Sequence, residues 1–284
     1  MTKTESTILS IQIKNYAGEP IRSFGDWEKH ALPPERKELH WKKGRSAYEL
    51  GWSWTVNGAP AVPHELIDLL DSHEGTKGTV ILSGITEHET ALPFSKGGPR
   101  CHDLALLAEQ NGCAVTICIE AKADESFGGT VAKEVVKAKK REGTMFLKRL
   151  DWLTRSLLGL PAFKDEQLFV LSDAITELRY QLLSAIGGTL LETERRKASK
   201  ALFVVHEFRT TATKDAFLDS NANALNRFLS LLLFANKLEH EDIQLESGHM
   251  IGPILITNRS VEGPIKIPCH VPLFIGKIRT DLLA

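Results

Sequence analysis

Glu120, Ala121 and Lys122 close an apolar, β-branched run, "CAVTICIEAK", and "ADESFGG" follows it. In an extended chain, residues two apart share a face. Glu120 and Lys122 therefore project together while Ala121 points away. Asp103 heads the preceding segment, "HDLALLAEQNG", whose Asn111-Gly112 pair signals a hairpin. A turn there returns Asp103 to the neighbourhood of Glu120, so that two carboxylates and an ammonium converge at a sheet edge. Oxygen donors of this kind suit Mg²⁺ or Mn²⁺. Such an ion polarises a phosphate oxygen and acidifies a bound water, and the lysine orients that water or stabilises developing charge. This is the chemistry of phosphodiester hydrolysis.

Positioning these groups requires strands and helices that the pattern supplies. "GTVILSGI" and "ALFVVHEF" read as strands, and residues 103–109 read as extended because a strand follows the Asn-Gly turn. "TVAKEVVKAKKREG", "TMFLKRLDWLTRSLLGLP" and "NALNRFLSLLLFANKL" read as helices, the second closed by Gly159 and Pro161. "DAITELRYQLLSAIGGTLLETERRKASK" reads as one long helix, with Ile175, Leu178, Leu182, Ile186 and Leu190 on one stripe and Glu192, Arg195 and Arg196 outside. Its Gly187-Gly188 pair weakens it or admits another backbone. Ser46 and Glu49 form a capping box for a short helix, and "PHELIDLLDS" forms another. "GPILITN", "PIKIP" and "VPLFIGKI" are strand-like. The order implies an α/β protein around a mixed sheet.

Asp103 followed by Glu120-Ala121-Lys122 at a strand end resembles the PD-(D/E)xK nuclease superfamily, the restriction-endonuclease-like fold. With "ADESFGGTV", "LRYQLLSAIGGTLLETERRKASKALFVVHEF" and "VPLFIGKI", the chain resembles an uncharacterised bacterial subfamily of restriction-endonuclease-like proteins from about Trp41 to near the C-terminus. The resemblance implies a core over about residues 41–209, with a C-terminal extension over about 210–284, read together as one nuclease-like domain. It implies a helical insertion between Gly128 and Ser172, and a core helix around Arg179, Tyr180 and Gln181 leading to the strand that ends in His206. "PRCHD" departs from a literal Pro-Asp pair, since Pro99 lies ahead of Asp103 by four positions. The implied activity is Mg²⁺-dependent (or Mn²⁺-dependent) cleavage of DNA. Asp103 and Glu120 would be the metal ligands, Lys122 would position the water, and Glu49 and Gln181 are further catalytic candidates. Lys42, Lys43 and Arg45 are candidate contacts to the DNA backbone, and the superfamily's habit of cutting two strands implies a homodimer.

Local readings stand beside these. Glu120 and Lys122 also make an ordinary ion pair, Asp103 a helix cap, and Tyr180 and Gln181 ordinary helix positions. His206 reads as a core histidine, and Cys101-His102 as half a zinc site without a second half. The basic run Lys137, Lys139, Lys140 and Arg141 reads as a solvated helix face, or as a phosphate contact.

Composition sets the outer bounds. The chain has 284 residues, 42% hydrophobic and 25% charged, with formal net charge -1. A nucleic-acid surface must therefore be a local patch. Four cysteines without a CxxC spacing fit a reducing compartment, and the absence of a signal pattern or a long apolar run points to the cytoplasm and away from membranes. A rival from another class is a non-catalytic nucleic-acid- or protein-binding module on the same fold. A serine or cysteine hydrolase ranks last, because no GxSxG occurs and Cys118 lies mid-strand.

Overall fold

The strand that carries Glu120 and Lys122 is central rather than at an edge. The computed structural model describes residues 10–31, 41–56, 58–94, 98–165, 169–238, 243–257, 259 and 261–283. Residues 1–9, part of the N-terminal segment read for a signal pattern, lie outside them. The main sheet contains β1 (Gln12–Lys14), β2 (Pro20–Ile21), β3 (Val80–Thr90), β4 (Arg100–Gln110) and β5 (Cys113–Lys122). A separate two-stranded hairpin is formed by β6 (Phe163–Asp165) and β7 (Val170–Leu171). The chain returns to the main sheet with β8 (Lys200–Thr210), β9 (His249–Ile254) and β10 (Leu273–Leu282). The spatial order is β2-β1-β3-β4-β5-β8-β10-β9. β3, β4 and β5 form an antiparallel meander, with Asn111 and Gly112 at φ 51° and 77° in its second turn. β8 then runs parallel to β5, and β10 parallel to β8.

Eight helices, among the described residues, flank the sheet: α1 (Phe24–Lys29), α2 (Ser46–Thr55), α3 (His64–Asp71), α4 (Val131–Lys139), α5 (Phe146–Leu158), α6 (Asp173–Thr176), α7 (Tyr180–Arg195) and α8 (Asp215–Ala235). The alternation along β5 explains why both sheet faces need covering. Val115, Ile117, Ile119 and Ala121 join Leu50, Trp54, Leu66 and Leu69 of α2 and α3 in one core. On the other face Ala201, Phe203 and Val205 of β8 pack with Leu182, Leu183, Ile186 and Leu190 of α7. Truncating a fully buried leucine here, such as Leu182→Ala, should cost about 2–5 kcal/mol.

Four expectations change. The long helix is broken over Glu177–Arg179, because Val131 donates its amide to the Leu178 carbonyl at 2.7 Å and Thr130 bridges Arg179. A tertiary strand-like contact replaces the helical bonds that the pattern offered. Glu192 does not lie outside; it is fully buried, although the apolar stripe packs as its spacing requires. "PIKIP" forms no strand, whereas the "VPLFIGKI" strand runs on to Leu282 and is embedded in the main sheet beside β8. Ser46 is the first helical residue, after an Arg45 N-cap that makes no side-chain cap bond. The Glu49 carboxylate accepts from the Gly44 amide at 2.6 Å instead of closing a capping box.

Candidate functional site

The site lies at the C-terminal end of β5. Lys122 Nζ donates to Glu120 Oε1 at 2.6 Å and to the Ala121 carbonyl at 3.0 Å, as expected for two residues on one strand face. Asp103 arrives from β4, and its Oδ2 accepts from the Ala121 amide at 2.7 Å. The Asp103 carboxylate therefore reaches across to the β5 backbone beside Glu120. The structure brings these three residues together, next to a central strand instead of the edge first expected.

Local backbone geometry puts further groups there. Leu104 and Leu106 belong to the core under α2 and α3, yet Arg100 and His102 lie against Gly188 of α7 on the opposite face. The alternation of β4 thus switches at Asp103. The pairs Thr86–Leu104 and His88–His102 bracket this residue and Glu87, which adopts φ 50°. A glutamate in the left-handed region is strained, and strain of this kind is retained where the surroundings enforce it. The switch delivers Arg100 to Glu120, and its Nη2 donates to Glu120 Oε2. It also brings Glu87 beside Cys101, whose thiol donates to Glu87 Oε2 at 3.2 Å.

The break before α7 has a consequence at the same place. Gln181 falls in the first turn of α7, and its Nε2 donates to Glu120 Oε1. Arg179 fixes the loop after β5 by donating to the Gly128 carbonyl at 2.9 Å. From α8, buried Asn221 grips the same loop: its Oδ1 accepts from the Phe127 amide at 3.1 Å, and its Nδ2 donates to the Glu125 carbonyl at 2.9 Å. Glu125 itself lies in the field of Lys122 and accepts a hydrogen bond from Ser46.

Four carboxylates (Glu87, Asp103, Glu120, Glu125) thus face two cations (Arg100, Lys122). The imbalance is legible in their acidities. Burial and the neighbouring Glu120 charge push Asp103 well above the usual aspartate range. Burial, and more weakly the Glu120 charge, push Glu87 up to about 7. Burial also raises Glu125. Glu120 is different: burial opposes its charge, but Arg100 and Lys122 outweigh burial and hold it low. Burial likewise opposes the Lys122 charge, but Glu120, Asp103 and Glu125 overcome it and raise its pKa, so it stays an ammonium at neutral pH.

The other sequence candidates fall elsewhere. The Glu49 carboxylate is tied to its own loop through Gly44, and its charge sees Lys43. Lys42, Lys43 and Arg45 are exposed, and Arg45 Nη1 pairs with Asp124 Oδ2 at 3.1 Å, at the rim of the loop after β5. Tyr180 stacks its ring near Phe146 and bonds Arg149. His206 is buried on the opposite sheet face, bonded to Thr280 at 2.9 Å, and burial pushes it down to about 3. Lys137 pairs with Glu134 on the exposed helix face. Sequence reasoning missed Arg100, Glu87, Glu125 and Asn221. "PRCHD" did contain Arg100, but only the switched alternation of β4 places it.

Among the described residues no three His, Cys, Asp or Glu side chains are arranged as a metal cage. Mg²⁺ does not require one, since it keeps several waters and uses one or two carboxylates. The carboxyl groups outnumber the cations, and the Asp103 carboxyl, pushed well up by burial and by the Glu120 charge, lies beside Glu120, so the donor set fits an additional cation at Asp103 and Glu120.

The chain belongs to a family described as a domain of unknown function, DUF6946, whose model matches residues 20–282. No curated protein and no solved structure matches it. Among the described residues no helix is long and apolar enough to cross a membrane.

Proposed function

We propose that this protein is a metal-dependent nuclease that hydrolyses DNA phosphodiester bonds on a restriction-endonuclease-like fold. The observation that carries the reading is the meeting of Asp103, Glu120 and Lys122 at the end of β5, where carboxyl groups outnumber cations. The element order supports it: after an insertion that spans α4, α5, β6, β7 and α6, the helix bearing Gln181 leads to β8, parallel to β5, and apart from that insertion this is the order of the superfamily the sequence resembles.

In this mechanism Asp103 and Glu120 would hold Mg²⁺ or Mn²⁺, which would polarise the scissile phosphate and acidify water. Lys122 is protonated at neutral pH, so it does not serve as a base. Its ammonium donates to the attacking water or to the phosphate oxygens, where negative charge grows. Gln181 fixes the orientation of the Glu120 carboxylate. Arg45, Lys42 and Lys43 hold the DNA backbone near the loop after β5. Glu120 is 1% and Lys122 5% exposed, so substrate reaches them only when the covering side chains withdraw. A homodimer on DNA and a restriction or defence role in the cytoplasm belong to the same reading.

A second reading has one observation in its favour. Both oxygens of Glu120 are already occupied, by Arg100 on one side and by Lys122 and Gln181 on the other. A non-catalytic binding module would keep such a network as a structural tie.

Cleavage assays separate the two. Wild type, Glu120→Gln and Lys122→Ala are incubated with plasmid DNA, linear double-stranded DNA, single-stranded DNA and RNA, in Mg²⁺ or Mn²⁺ and in EDTA. The nuclease reading expects metal-dependent cleavage by wild type, and a loss of about two orders of magnitude or more in both variants. Wild type inert on every substrate supports the binding module. Cleavage undiminished in Glu120→Gln assigns the activity to another site.

A further inference from the structure

Arg100 occupies a position that the fold has made room for. Its stem passes under α7 at Gly188, where an added Cβ would stand 2.9 Å from Arg100 Cγ and 3.0 Å from His102 Nε2. No larger residue fits there without moving the arginine. The side chain is 9% exposed and its Nη2 donates to Glu120 Oε2. Its Nε, however, is buried and has no acceptor among the described residues. A guanidinium placed only for stability would be expected to use its whole donor fork. This one is matched at its tip, to the carboxylate proposed to bind metal, and unmatched along its side.

We infer that Arg100 is the resident counter-cation of this site, held against Glu120 until a divalent ion displaces it. The inference rests on the reading of Asp103 and Glu120 as metal ligands. Lys122 and Gln181 already hold Glu120 Oε1 and Arg100 alone holds Oε2, so an ion that enters at Oε2 must displace the guanidinium, and the two compete for Glu120. The competition sets how much metal the protein holds at a given concentration. It also leaves the buried Glu120 carboxylate with a counter-charge when no metal is present.

The consequence has an unusual sign: removing a conspicuous active-site residue should improve metal binding. Chelator-stripped full-length protein is titrated with Mn²⁺, and free Mn²⁺ is counted by its solution EPR signal. Arg100→Gln should bind Mn²⁺ about tenfold more tightly than wild type, the scale on which groups adjoining a metal site alter affinity. Arg100→Lys, which keeps the charge, should stay within about threefold of wild type. Glu120→Gln should lose the site. If circular dichroism shows Arg100→Gln to be unfolded, Gly188→Ala takes its place: the new methyl displaces the arginine stem and should tighten Mn²⁺ binding in the same direction. Arg100→Gln or Gly188→Ala binding no tighter than a metal-binding wild type overturns the role of Arg100 alone. Mn²⁺ bound by neither wild type nor Arg100→Gln overturns this role together with the metal-site reading.

Discussion

Helix α7 carries a buried carboxylate network at each end, and the two are built oppositely. Near its C-terminus Glu192 is enclosed by basic side chains: His88 at 2.8 Å, Arg195 Nη2 at 2.6 Å and Arg196 Nε at 2.5 Å, with Thr90 on its second oxygen at 3.4 Å. One carboxylate there faces three basic groups, and although burial opposes its charge, these partners hold its pKa far below the glutamate range. Roughly 16 Å away along the helix, on its 1.5 Å rise per residue, Gln181 leans on Glu120. There the carboxylates outnumber the cations, two of them are pushed up by burial and mutual repulsion, and the backbone at Glu87 is strained. A network satisfied by its own partners ties α7 to β3 and β4. One with more carboxyl groups than cations has room for a further positive partner, and functional sites are where such mismatches persist.

The stability of charge variants should separate the two ends most clearly. Glu192→Gln leaves Arg196 and His88 buried beside a neutral amide and should cost about 3–5 kcal/mol, as breaking a buried ion pair does. Glu120→Gln leaves Arg100 and Lys122 with Asp103, Glu87 and Glu125 still nearby, and should cost about 1–2 kcal/mol. Urea denaturation measures both, and equal costs would erase the contrast. Asn221→Ala, which frees the loop between Glu125 and Phe127, should cost about 1–3 kcal/mol by leaving a buried amide and carbonyl unpaired. In the cleavage assay it should lower the rate more than an equally destabilising core variant such as Leu225→Ala.

The pH dependence gives a subtler division. Glu87 is raised in the folded state to about 7, from 4.5, so the folded protein binds more protons across that interval. Its contribution is present below pH 4.5 and is lost as pH rises towards 7, on the order of 1 kcal/mol or more. Glu192 has the opposite sign: its depressed pKa contributes stability above pH 4.5 that is lost as pH falls below it. Melting temperatures of wild type, Glu87→Gln and Glu192→Gln across pH 3–8 test this. Glu87→Gln should flatten the fall between 4.5 and 7, and an unchanged slope there would contradict the assigned burial of its charge. The smallest expected effect is at the rim. Arg45→Ala breaks an exposed pair with Asp124 and should change stability by less than about 1 kcal/mol. If the protein binds DNA as proposed, the substitution should reduce the salt dependence of that binding by about one unit of slope.

Why one network was readable in the sequence and the other was not follows from how each is made. Glu120 and Lys122 are set by alternation within a single strand, and the Asn111-Gly112 turn returns Asp103 beside them; both are local rules. The core strands β5 and β8 were equally plain from their β-branched runs. Arg100 and Glu87 enter the site through a switch of alternation at Asp103 and a left-handed glutamate, which no periodicity announces. Glu192 looked solvent-facing because its partners come from β3 as well as from its own helix. The break before α7 was hidden for the same reason: residues 173–195 carry a continuous helical stripe, and the interruption comes from the Thr130–Arg179 bridge. Glu49 shows the reverse, since the local capping motif was present and the Gly44 amide captured its carboxylate instead.

The carboxyl cluster at the end of β5 is proposed as a cation site, and Glu192 is not. Crystals grown in Mn²⁺ and measured at the manganese edge test it directly. The expected result is an anomalous peak in contact with the carboxylates of Asp103 and Glu120, with Arg100 moved off Glu120 and no peak at Glu192. Crystals soaked to millimolar Mn²⁺ with no peak at Asp103 and Glu120, and with Arg100 still bonded to Glu120, would contradict it.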